Sequence, residues 1–264
     1  VEDCGLPIVE YEAARPEASP VALWLVDSSS VTLGIPELGT VTVSADRIIV
    51  SGPDAQAREA AWTRLRQWAI GQHFTAQGCR VLPGCAVARN GRAVALTGST
   101  RSGASVLGLQ LTRHGWGLVS DGVAVIDADG ICRALHPRAT LDRRPAESLF
   151  ADYPQEKVAS GRDRNVVHAP AHADARLSAI VPMQVKDAPE LLSINLIEST
   201  FVEEQEWMAG VVCSIPGSIA AVQMPEVLTI AVRRSSPRNL EELARVAPPA
   251  LAERLDAFLR ELRL

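Results

Sequence analysis

The eight residues Gly98-Ser99-Thr100-Arg101-Ser102-Gly103-Ala104-Ser105 have the skeleton G-x-x-x-x-G-x-S of loops that hold phosphate. That chemistry needs backbone N–H groups aimed at anionic oxygens, and a helix N-terminus behind them. Gly98, Ser99, Thr100, Ser102, Gly103 and Ser105 are therefore the candidate phosphate-binding residues, and Ser105 stands where a magnesium-ligating hydroxyl belongs. Such a loop also needs a lysine, whose point charge meets the β- and γ-phosphates. Here that position is Ala104, which supplies no charge. Arg101, inside the loop, is the cation that could reach a phosphate as a fork, although a solvated loop arginine is the commoner use of the type. Downstream, Val119-Ser120-Asp121-Gly122 sets Asp121 at the end of an apolar run, one helix after the loop. A carboxylate there could hold magnesium together with Ser105, but only if MgATP is bound. Taken alone, the loop also fits a Gly/Ser turn that leads into a helix.

The elements that must position these residues are readable on either side. Cys85–Arg89 and Arg92–Thr97 flank Asn90-Gly91, the dipeptide that supplies two left-handed residues for a type I′ hairpin. Ala104–His114 has helical spacing, and Gly115 sits where a helix C-terminus favours a residue without Cβ. Gly117–Asp127 then reads as a strand that turns at Asp127-Ala128-Asp129-Gly130 into Ile131–Leu135. Before the loop, Val21–Val26, Ser30–Leu33, Thr40–Val43 and Arg47–Val50 read as short strands, and Asp54 caps a helix that runs to about Thr75. The stretch from Pro137 to Ala175 is rich in Pro, Arg, Asp and His, and reads as a long, partly irregular connection. Arg176–Met183, Val211–Ile215 and Leu228–Arg233 read as strands, Ala188–Glu206 as a helix and Asn239–Leu264 as a helical end.

Other chemistry-bearing residues fall to plainer readings. Arg143 and Arg144 could join an anion site, and Lys157 could move in from the irregular stretch, but charged surface positions account for all three. His168 and His172 have i, i+4 spacing, but Pro170 lies between them and no HExxH glutamate is present, so an exposed loop explains them. His114 complements the dipole at a helix end. The five tryptophans are spread along the chain. The five cysteines are scattered, with no C-x-x-C pair, which disfavours a disulfide scaffold or zinc cage and suits a reducing cytoplasm.

The net charge of −5 argues against a non-specific binder of nucleic acid or anionic membrane. No signal segment opens the chain. The longest charge-free run, Met208 to Pro225, is broken by Pro216 and Gly217 and is not read as a membrane span. Lys157 and Lys186 are the only lysines among 26 basic residues, a bias that a GC-rich bacterial genome would produce.

From Cys85 to Ile126, "CAVARNGRAVALTGSTRSGASVLGLQLTRHGWGLVSDGVAVI" resembles the core of HPr kinase/phosphorylase-like proteins. More narrowly, it is similar to their compact bacterial relatives, some encoded beside peptide-modification enzymes such as those that make lasso peptides. The RNG hairpin, the loop, the RHGW helix end and the LVSD strand all correspond. The resemblance implies an α/β fold like the HPr kinase C-terminal domain (PEP carboxykinase-like, P-loop), with a mixed, largely antiparallel sheet and a small N-terminal β-rich lobe. It sets residues 1–78 as a β-meander plus helix, and 79–264 as the P-loop core with a helical end, the two forming one compact unit. The departures fall on the chemistry: Pro83 replaces the family's histidine, Ala104 the lysine, and Asp121-Gly122 a pair of aspartates.

These losses lead to an expectation of a degenerate member, a pseudokinase that has lost ATP-dependent serine phosphorylation. It would serve as an accessory or peptide-binding protein in a bacterial, cytoplasmic peptide-modification pathway. The partner would be a peptide or a pathway enzyme, with no nucleic acid and no membrane, and a homo-oligomer stays open. Two alternatives stay open as well. The old cleft could run different chemistry, with Asp121 and Arg101 as catalytic residues, or a residual ATP-dependent serine kinase could use Arg101 in place of the lysine. The cofactor is not fixed; ATP with magnesium is the option that the resemblance offers.

Overall fold

A computed structural model describes residues 9–13, 24–26, 29–98, 102–135, 138–158, 163–185, 192–197, 228–234 and 247–264. Their contacts divide them into two compact units, one up to Val81 and the other from Leu82 onward. Both combine helices and sheets, so the chain is a mixed α/β protein. Among the described residues no helix is long and apolar enough to cross a membrane.

The first unit carries a five-stranded sheet. Strands β1 (Val9–Ala13), β2 (Trp24–Val26), β3 (Ser30–Ile35), β4 (Gly39–Ser44) and β5 (Ile48–Gly52) lie in the order β1-β5-β4-β3-β2, with β1 parallel to β5 and the other pairs antiparallel. Val31, Leu33, Val41, Val43, Ile48 and Val50 alternate with less buried residues and form its covered face. Helix α1 (Ala55–Ala76) packs on β4 and β5 and begins as the sequence predicts, with the Asp54 carboxylate accepting from the Ala57 N–H at 2.8 Å.

The second unit is built on a seven-stranded mixed sheet. Its strands are β6 (Arg80–Arg89), β7 (Arg92–Thr97), β8 (Gly117–Ile126), β9 (Ile131–Cys132), β13 (Ala175–Val185), β14 (Leu192–Ile197) and β15 (Leu228–Arg234), in the order β14-β15-β13-β7-β6-β8-β9. The β6–β7 hairpin turns at Asn90 (φ 52°) and Gly91 (φ 75°), the two left-handed residues the dipeptide predicts. β13 is parallel to both β7 and β15, while β14–β15 and β8–β9 are antiparallel. Short β9 also pairs antiparallel with β13, so five strands curl round until the edge returns to its start. The inside of that curl is narrow and is filled by small residues such as Ala86, Ala88, Ala93, Ala95 and Ala124. The alternate residues, among them Cys85, Val87, Val94, Leu96 and Leu118, face the helices α2 (Ala104–Thr112) and α4 (Pro248–Glu261).

Two expectations need correction. The stretch from Pro137 to Ala175 is not an irregular connection. It holds β10 (Arg138–Asp142), helix α3 (Arg143–Leu149), β11 (Gln155–Lys157) and β12 (Arg164–His168), and the three strands form an antiparallel sheet in the order β10-β12-β11. Ala139, Leu141 and Val167 are buried, but Asn165 is buried beside them and Val166 lies among Arg164 and His168 on the less covered face, so the period of two in apolar character is diluted. Residues 192–197, read within a helix, are strand β14; Leu-Ser-Ile-Asn-Leu-Ile alternates with period two, and β15 pairs with all six residues. The rest of Ala188–Glu206, the strand expected at Val211–Ile215 and positions 239–246 of the C-terminal helix lie outside the described residues.

Candidate functional site

The loop starts where β7 ends. The Gly98 N–H donates to the Pro83 carbonyl at 3.3 Å, and a Cβ at position 98 would run into the side chain of the buried Ser102, so only glycine lets the chain pass this close. Gly103 has φ 92°, a left-handed conformation that an L side chain avoids, and its carbonyl opens α2 by accepting from the Leu107 N–H at 2.9 Å. The N-cap of α2 is Gly103, which has no side chain to cap it, and the first turn has no acidic residue. Ser105, half-buried, is the second residue of the helix. Ser99, Thr100 and Arg101, the other expected loop residues, lie outside the described residues.

Ala104 is the most informative position. It is only 6% exposed and belongs to the apolar cluster that includes Leu107, Leu111 and Met183. The Ala104 methyl group is thus part of a packed apolar wall, where a charge would lose its hydration.

Asp121 lies within β8, just before Gly122 (φ 85°). Its Oδ2 accepts the backbone N–H of Thr140 at 3.2 Å, so the carboxylate secures β10. Beneath α2, burial pushes the Cys85 thiol up, and the charge of Asp121 and the Cys132 thiol push it further. Burial likewise pushes Cys132 up to about 12, with smaller contributions from Asp174 and Asp127. Both thiols are neutral at physiological pH and poor nucleophiles. Among the described residues no group of three or more His, Cys, Asp or Glu side chains is placed to hold a metal ion.

The other candidate cations and imidazoles have local partners or lie exposed. Arg143 Nε donates to Glu147 Oε1 at 2.7 Å and its guanidinium lies 3.6 Å from Asp163. Lys157 is exposed in β11, opposite Asn165. His168 ends β12 with Nε2 at 3.2 Å from Glu156, while His172 Nδ1 meets the Ala173 carbonyl at 2.9 Å, so the pair does not share a helix face.

Sequence reading missed two features. One is a buried ionic hub. Asp256 Oδ1 accepts from Arg89 at 2.8 Å and from the Trp116 indole N–H at 2.9 Å, Oδ2 lies 2.8 Å from Arg260, and the Arg89 guanidinium stacks 4.4 Å above the Trp116 ring. The sequence signal was a lone carboxylate beside the apolar stripe of Leu251, Leu255 and Leu259. The other is a groove of about 220 Å³ lined by Gly103, α2, α3, α4 and Met183, with no charged side chain among its described lining residues. Its lining comes from residues far apart in sequence, so no local pattern announces it.

No family model matches the chain, and no curated protein matches it. Among solved structures, it is similar to the Hpr(Ser) kinase/phosphatase from Coxiella burnetii, at 12% identity over 70% of this chain and 96% of that one, with a TM-score of 0.29. At that identity and score no residue role passes from that enzyme to this chain.

Proposed function

We propose that this chain is a degenerate HPr kinase-like protein with a PEP carboxykinase-like P-loop core, which no longer transfers phosphoryl groups and binds a peptide or partner enzyme of a bacterial, cytoplasmic peptide-modification pathway. The burial of Ala104 among apolar side chains carries the reading. Phosphoryl transfer rests on positioning and charge, and losing one preorganised electrostatic contact typically costs about 3 kcal/mol of transition-state stabilisation. The loop keeps its two glycines, Gly98 and Gly103, without its lysine. Gly122 stands where a second carboxylate would be, and Asp121 spends one oxygen on the Thr140 N–H. The described residues therefore do not fit a reactive magnesium nucleotide.

Thermal unfolding with MgATP, MgADP and AMP tests this. A nucleotide at one hundred times its Kd would stabilise the fold by about 2.7 kcal/mol, and the expected result is no shift with any of the three. Stabilisation by MgATP that Asp121→Ala abolishes, accompanied by transfer of labelled phosphate to a serine, would overturn the proposal.

A further inference from the structure

We draw no further inference here: the strongest candidate, the apolar groove between α2, α3 and α4 that Val106, Leu107, Pro145, Leu149, Pro248 and Leu251 line, carries none, because nothing among the described residues shows what covers it.

Discussion

Gly108 shows how tightly single residues determine the packing under the loop helix. In the middle of α2 a glycine gives up about 1 kcal/mol of helix stability relative to alanine, so something must compensate for it. A Cβ at this position would strike the Cys85 sulfur on β6, with Leu96 also near. The glycine lets α2 settle onto the sheet, and the thiol fills the hollow beneath it as a small apolar group, consistent with its raised pKa. Gly108→Ala is therefore expected to lower the unfolding free energy by about 1–3 kcal/mol despite the better helix former. Adding Cys85→Ala makes room for the methyl group and should recover part of the loss, which urea unfolding of the two single variants and the double variant would read as a coupling of about 1 kcal/mol. Strictly additive effects would show that the helix does not rest on the thiol. Ala104 belongs to the same scale. Its identity was visible in the sequence as a missing charge, but its burial was not, because burial there comes from residues distant in the chain.

At the scale of elements, what could be read in advance was whatever is encoded locally. Asp54 announced the start of α1, and Asn90-Gly91 announced a hairpin whose two strands flank it residue for residue. The left-handed Gly115 (φ 83°) ended the loop helix. What could not be read depends on partners far away. β10 and β12 are each half covered, and their open faces carry Arg, Asp and His, so they resemble a loop until they are paired. Strand β14 lies in a stretch with helical character, and its identity rests on the pairing with β15, some thirty residues on. The passage from β7 to α2 between Gly98 and Gly103 was legible and the groove beside it was not, since three helices have to converge to make it. Helix α4 combines both cases. Its leucine stripe predicts the helix, yet its seat on the sheet is fixed by Asp256, whose side chain is 5% exposed and bridges to Arg89, Trp116 and Arg260. Asp256→Asn keeps the shape and removes the charge, leaving Arg89 facing a neutral amide. The expected loss is about 3 kcal/mol by chemical unfolding. The double variant Asp256→Leu with Arg89→Met removes both charges and should come closer to the wild type than Asp256→Leu alone. An Asp256→Asn protein as stable as the parent would show that apolar contacts alone seat the helix.

At the scale of the whole molecule, each unit contains its own buried ionisable group, and the two groups respond to acid in different ranges. In the first unit, burial lowers the pKa of His73 and outweighs the raising effects of the Ser44 carbonyl and Asp46. The neutral ring donates from Nδ1 to that carbonyl at 2.9 Å, which leaves Nε2 to accept from the Gln77 amide at 3.0 Å, and the same amide donates to Ala45 at 2.8 Å. Together these bonds hold the end of α1 to the turn after β4. In the second unit, burial raises the Asp256 pKa, but the Trp116 N–H, Arg260 and Arg89 together prevail and hold it below the usual carboxylate value. Both shifts mean that the unfolded chain takes up a proton before the folded one, so both contributions weaken as pH falls. That of His73 is complete above its ordinary value of about 6.5 and fades as pH drops from there toward the lowered folded value; that of Asp256 is complete above about 4 and is lost as pH falls through its lowered value. Amide hydrogen exchange, converted to opening free energies, is expected to show α1 losing protection between pH 7.5 and 5.5 while β6 and β7 keep theirs until the pH passes below about 4. His73→Gln should flatten the first change and leave the second in place. Loss of protection in both units over one common pH range would show that these two groups do not set the acid limits of the fold.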